Sequence, residues 1–488
     1  MTLNDIVVGP GGVESSCLLS LSSNGGFVMG SYPFSVVKLV IIILSCNCFF
    51  AVAAEGQDAG GFLESPELDG KLRTVFYDVY NSEKDQHTGA WTAALWLNGR
   101  TGDFADMVSL GAGFYGVARL EMAKDSTYSY QLLNDANEGF GKLGQAYVRL
   151  QAPPSFADYG SASFTIGRQI LKTGLISGSS SRSVPSSWQG YNLKVASENL
   201  EVGLALVDRM SLRNQAGFHR LHNFPEQKQV IDYIIGGEVF YQMPVLADSE
   251  LFLKYRNGFA KDFLRAHNLD ALLTTPLGSG RDLSLGVRYY HTEKAGDLWQ
   301  GTGWGESPLF DDHASVINVH GSLHIPSGWS FNAAVSHYNA RSSNPKPNDK
   351  TSYAPPGAYY YDLGANTHGF WNISTNGFAE DMMYDDETVF MAGVSYDFSA
   401  SGIQGLMGGY AFHYGSGMQV TKPDGSKADT SEYEHDIHIV YRFSRPFAKG
   451  LTFKLKYGLY RNDELLRKAI RKQENDLRVW LDYDFIAF

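Results

Sequence analysis

Leu283-Ser-Leu285-Gly-Val287-Arg-Tyr289 is the stretch whose reading decides the fold. Leu283, Leu285, Val287 and Tyr289 fall on one side of an extended chain, and Ser284, Gly286 and Arg288 on the other. Successive side chains of a strand point to opposite faces, so this segment reads as a wall between an apolar medium and a polar one. A half-exposed sheet of a soluble protein gives the same alternation, so one strand decides little. Recurrence along the chain decides more.

Trp329, Phe331 and Val335 alternate with Ser330, Asn332 and Ser336, and Phe390, Ala392, Val394, Tyr396 and Phe398 with Met391, Gly393, Ser395 and Asp397. Ile437, Ile439, Tyr441 and Phe443 face away from Asp436, His438 and Arg442; Leu451, Phe453, Leu455, Tyr457 and Leu459 face away from Lys454 and Lys456. The last strand reads Leu477-Arg-Val479-Trp-Leu481-Asp-Tyr483-Asp-Phe485, its phase slips at Ile486, and the sequence ends on the aromatic Phe488. Charged faces this regular need water, and aromatics near strand ends suit the two girdles of a membrane barrel. The fold class expected is all-β: a transmembrane antiparallel β-barrel.

Composition agrees. Among 488 residues, aromatics make up 13%, Gly numbers 52 and charged residues are only 19%, a balance that suits strands and turns. A formal charge of −12 argues against a nucleic-acid partner. Ahead of the barrel, Lys38 precedes an apolar run that ends in Ala51-Val52-Ala53, the form of a cleaved export signal. Residues 1–53 are therefore read as an N-terminal extension and signal peptide, and residues 54–488 as a single barrel domain, with Met29 as an alternative start that would leave a signal of ordinary length. An uncleaved membrane anchor and a lipoprotein cysteine at Cys46 are the competing readings. All three cysteines, Cys17, Cys46 and Cys48, precede the cleavage site, so the exported chain needs no disulfide. Beyond it no apolar run is long enough for a membrane helix, and any span must be built from strands.

Two connections stand out. Residues 173–190, TGLISGSSSRSVPSSWQG, are rich in Ser; residues 339–387 combine Pro, Asn and Gly with Tyr359, Tyr360, Tyr361, Phe370 and Trp371. Either could remain a surface loop, or fold into the lumen and narrow it.

Three segments resemble the OprD family of outer-membrane porins. These are GGFLESPELDGKLRTVFYDVYNSEKD at residues 60–85, Arg182-Ser-Val-Pro185-Ser-Ser-Trp-Gln-Gly190, and Ser444-Arg-Pro-Phe-Ala-Lys-Gly450-Leu-Thr-Phe453-Lys-Leu-Lys456 with Asp476-Leu-Arg478-Val-Trp-Leu-Asp-Tyr483. The resemblance implies an outer-membrane barrel of about 18 strands, monomeric or weakly trimeric, with long extracellular loops, an inward constriction loop and a narrow eyelet. It also implies a row of basic residues on one wall, carried here by Arg73, Arg182, Lys454, Lys456 and Arg478, with Lys standing where several members use Arg. Such a row hands an anionic group from site to site without holding it too tightly at any one. Gly369-Phe-Trp371-Asn372-Ile-Ser-Thr-Asn376-Gly-Phe378 is similar to the aromatic, amide-rich loop of the chitoporin-like branch, where rings such as Trp371 and Tyr360 would stack on sugars. The function implied is passive, selective diffusion of small hydrophilic solutes: amino acids, carboxylates or short chito-oligosaccharides. The implied surroundings are outer-membrane lipid and lipopolysaccharide, and no cofactor is called for.

Other motifs carry less. Gly111-Ala-Gly113-Phe-Tyr-Gly116 matches G-x-G-x-x-G, but a dinucleotide site needs a helix behind it, and alternating Val117–Glu121 follows instead. His320 with His324, and His435 with His438, lack a carboxylate ligand set at convincing spacing. Paired Asp385 and Asp386 read as a solvated loop. An outer-membrane barrel enzyme would need a placed nucleophile with His, and no such constellation is visible; a non-conducting structural barrel is the third reading.

Overall fold

The alternating segment around Arg288 forms one strand of a sheet that closes on itself. In this computed structural model, residues 61–224, 228–246, 248–300, 308–343, 352–445 and 448–487 are described. The expected export signal, the three cysteines and Phe488 lie outside them. Eighteen antiparallel strands build the wall. The first six are β1 Glu67–Asn81, β2 Ala90–Arg100, β3 Val108–Met122, β4 Phe140–Gln151, β5 Ser161–Gln169 and β6 Ser187–Ala196. Then come β7 Leu200–Ser211, β8 Ile234–Leu246, β9 Ser249–Ala260, β10 Leu264–Gly278, β11 Arg281–Lys294 and β12 His313–His324. The wall finishes with β13 Trp329–Asn339, β14 Thr388–Asp397, β15 Leu406–Thr421, β16 Lys427–Arg442, β17 Leu451–Asn462 and β18 Glu474–Ile486. Each strand pairs with the next, and β18 pairs with β1 from Asp69↔Ile486 to Asn81↔Glu474. Closure leaves no unpaired edge facing lipid, where each unsatisfied backbone group would cost several kcal/mol.

Side chains sort as the period-2 pattern requires. On β11, Leu285 is 50% exposed and Val287 44%, while Arg288 between Val287 and Tyr289 is 7% exposed. The same outward apolar row appears on distant strands as Phe114, Leu204, Ile317, Phe390, Ile437 and Leu481. Rings gather at strand ends: Trp329 with Phe331 and Tyr396, Tyr441 with Phe443, and Tyr483 with Phe485. This is the girdle of a barrel in a bilayer.

Connections at one mouth are short, such as 197–199, 279–280 and 325–328; those at the other include 123–139, 170–186, 212–233, 295–312 and 340–387. In outer-membrane barrels the short turns face the periplasm and the long loops the exterior. At the same mouth, the connection 463–473 between β17 and β18 holds the short helix α1, Glu464–Ile470, capped by the Asp463 carboxylate. The long-loop half of the lumen is packed. Tyr290, Val316, Tyr338 and Val389 of the wall meet Trp299, Phe310, Leu309, Tyr359 and Leu363 of the loops in one apolar cluster. A second cluster joins Val75, Tyr77, Tyr115 and Trp480 of the wall to Leu132, Leu133 and Val184. The protein's core is therefore inside the barrel, where loop meets wall.

Candidate functional site

Residues 170–186 leave the wall at the end of the short strand β5 and cross the lumen. Gly174 makes the departure: its φ is +61°, and a Cβ there would lie 2.4 Å from the Asn257 carbonyl oxygen. Its amide donates to Glu238 Oε2 at 2.9 Å. On the far side the wall donates to loop carbonyls. Arg73 Nη1 reaches Ser180 O at 2.7 Å and Arg182 O at 2.9 Å, Tyr77 Oη and Trp480 Nε1 both reach Ser181 O, and Trp96 Nε1 reaches Ser183 O at 2.8 Å. Arg182 and Ser183 are buried, so the bonds to their carbonyls also avoid the cost of an orphaned acceptor.

Residues 352–387 also fold inward, held by the opposite chemistry. The Glu434 carboxylate on β16 accepts from three successive loop amides, Phe378 at 2.6 Å, Ala379 at 2.7 Å and Glu380 at 2.9 Å. Arg288 Nη1 holds Ser374 Oγ at 2.9 Å, Ser336 Oγ lies 2.7 Å from Thr375 Oγ1, and Arg478 Nη2 donates to Phe378 O at 2.6 Å. The two loops meet where Phe370 N donates to Leu175 O at 3.0 Å.

Between these loops and the short-turn mouth, three neighbouring strands carry the basic side chains. Arg73 makes a two-pronged ion pair with Asp482, at 2.7 and 2.8 Å. Lys71 and Lys454 approach the same carboxylate at 3.9 and 3.7 Å, and Lys71 also reaches Asp484 at 3.1 Å. Arg478 pairs with Asp476, and Lys456, its register partner, lies over the Phe378 ring at 4.2 Å.

The sequence-predicted residues thus divide. Arg73, Lys454, Lys456 and Arg478 stand together on β1, β17 and β18. Arg182 joins them from the first loop: its guanidinium lies over Tyr77 and Tyr130 at 4.6 and 5.0 Å, and Arg478 lies over Tyr77 at 5.2 Å. Trp371 sits apart, stacked with Tyr359 and Tyr361 at 5.0 and 4.9 Å and tilted against Tyr290. Tyr360 is buried in a third place, among Phe224, Phe263 and Trp299. Lys71, Asp476, Asp482, Glu434 and Arg213 were missed by sequence reading. Period 2 was the available signal for the first three: Lys71 lies two residues before Arg73, and Asp476, Arg478, Trp480 and Asp482 share one face. Glu434 and Arg213 gave none, because their partners are loop atoms distant in sequence. Arg213, for example, holds Gln131 at 2.7 Å and Ser179 at 3.0 Å.

Burial raises several carboxyl groups of the connection before β14, outside the spanning strands, Asp362 and Asp381 among them. Burial pushes Asp362 up to about 7 and Asp381 up to about 6, with neighbouring Glu380 adding to the second. Asp381 keeps bonds from Tyr361 Oη at 3.2 Å and Asn376 Nδ2 at 3.0 Å.

A closed barrel with two inward loops and a charged strip beside them defines a membrane channel of the porin class. Residues 60–487 match the model of the outer membrane porin, OprD family. The chain belongs to that family, and its place is the outer membrane. Among solved structures, OccAB1 of Acinetobacter baumannii superposes with a TM-score of 0.71 at 18% identity, covering 89% of this chain and 100% of that one. A BenF-like porin from Pseudomonas fluorescens Pf-5 gives 0.68 at 15% identity, covering 87% and 100%. OccK2 of Pseudomonas aeruginosa, solved in complex with glucuronate, gives 0.65 at 15%, covering 88% and 100%. No curated protein matched the chain. The family and these structural relatives are channels rather than enzymes.

Proposed function

We propose that the chain gives small carboxylates a passive route through a narrow eyelet between its two inward loops, selected by a basic wall. The observation that carries this reading is the surplus of cations around one buried carboxylate: Arg73, Lys71 and Lys454 all approach Asp482. Asp482, with Asp484 beside Lys71, sets two negative charges against three positive ones, so the strip attracts anions, and the half-buried Lys454 is free to exchange partners. Arg182 extends the row from the loop side with no carboxylate of its own among the described residues. Glucuronate, the ligand solved in OccK2, is itself a carboxylate. A solute gradient drives the transport, and outer-membrane lipid with lipopolysaccharide surrounds the barrel as a monomer or weak trimer.

Planar-bilayer recording of the refolded barrel tests this, with carboxylates, amino acids and chito-oligosaccharides added in turn. The expected result is discrete openings interrupted chiefly by carboxylates. A correctly folded barrel that never opens, or one interrupted only by sugars, would overturn it.

A further inference from the structure

Glu387 is the last residue of the second inward loop before β14, and it is fully buried. Its Oε2 accepts from the Tyr384 amide at 2.9 Å, folding the end of the loop back on itself. The rest of the carboxyl meets Glu432 of β16, which is also fully buried, and the two carboxyl groups hydrogen-bond each other. Glu432 Oε2 is taken by Tyr460 Oη of β17. Glu387 Oε1 and Glu432 Oε1 are left buried without an N–H or O–H donor from any other described residue. Gly415 of β15 makes room for the contact. It faces Glu432 in register, and a Cβ there would lie 1.9 Å from Glu387 Oε1 and 3.3 Å from Glu432 Cγ.

Two ionised carboxylates repel each other in a buried contact, whereas one proton between them makes a hydrogen bond. The surroundings supply no cation in its place. The loop itself brings Glu380 and Tyr384 to the pair, β13 brings Tyr338, and β17 brings Tyr460. Lys472 is engaged by Glu380 at 2.6 Å and by Glu474 of β18 at 3.4 Å. His413 of β15 turns to Asp436 at 3.2 Å, and Glu434 is occupied by the loop amides.

We propose that Glu387 and Glu432 form a proton-held latch: the shared proton fastens the end of the second loop to β16, and its loss to alkaline solution releases that end into the lumen. Burial pushes Glu387 from its ordinary 4.5 up to about 7. A raised value means that protonation favours the fastened state, so the latch is complete below 4.5 and is lost as pH rises through about 7. It acts on the width of the passage and does not depend on which solute uses it.

Hydrogen–deuterium exchange on the refolded barrel in detergent tests this at the peptide containing the Tyr384 amide, at pH 5 and pH 8 and corrected for the intrinsic pH dependence of amide exchange. The parent is expected to exchange there about tenfold faster at pH 8. Glu387→Gln supplies an amide donor that reaches Glu432 without a shared proton, and should bring the two rates to within about twofold. Glu432→Gln does the same from the wall and keeps the test open if the first variant fails to fold. The difference should survive Asp381→Asn, which removes the neighbouring loop carboxyl. Equal exchange by the parent at both pH values, a tenfold difference persisting in a folded Gln variant, or its disappearance in Asp381→Asn would overturn the latch.

Discussion

The two inward loops are held by opposite halves of the peptide bond. Residues 170–186 are gripped by their carbonyls, through Arg73, Tyr77, Trp96 and Trp480; the turn at Phe378–Glu380 is gripped by its amides, through Glu434. A cationic and aromatic wall offers donors, so it fixes acceptors; an acidic wall does the reverse. The charge on β1, β17 and β18 that we propose selects solute is therefore also the charge that positions the first loop, and changing it should alter both.

Variants can separate the two grips. Arg73→Gln should have the largest effect, about 4 kcal/mol lost from stability in a urea unfolding titration, because it leaves Asp482 buried without its main partner as well as freeing two carbonyls. Glu434→Gln should cost about 3 kcal/mol and produce noisier, larger openings as three amides lose a charged acceptor. If it leaves both stability and current unchanged, the second loop is held elsewhere. Trp371→Ala should cost about 2 kcal/mol by emptying the stack with Tyr359 and Tyr361. Any loss of chito-oligosaccharide block in that variant, without loss of loop order, would favour a sugar contact over an anchor. Lys454→Glu with Lys456→Glu should leave stability nearly unchanged and move the reversal potential in a salt gradient toward cation selectivity. An unmoved potential would take both lysines off the conducting wall.

A smaller effect follows from Asp381. Folding raises its pKa from the ordinary 3.8 to about 6, so protonation favours the packed loop. That contribution is complete below 3.8 and is lost as pH rises through about 6. Anion preference should accordingly strengthen between pH 7 and pH 5, read as reversal potential, and Asp381→Asn should flatten the change.

Strand alternation was legible in the sequence because lipid on one side and water on the other impose it residue by residue, as at Leu285, Val287 and Arg288. Arg73, Lys454, Lys456 and Arg478 could be assigned to one wall by resemblance, and their adjacency follows from the pairing of β1, β18 and β17. What the sequence hid was pairing across the lumen. Glu434 is an alternating polar residue like its neighbours until three amides from residues 378–380 reach it. Tyr360 and Trp371 lie in one aromatic run, yet one is buried beside Phe263 and the other stacks with Tyr361, because irregular backbone carries no period from which to read direction.

The pairing of β1 with β18, Asp69 against Ile486, has a further consequence. The seam joins segments separated by nearly the whole chain, so the wall cannot be completed strand by strand as the polypeptide emerges. Until the last strand arrives, β1 and the newest strand each expose a row of free amides and carbonyls, open to pairing with any other chain nearby. For this molecule, the dangerous interval is the time spent before the seam is made, and it calls for an escort that covers strand edges until insertion.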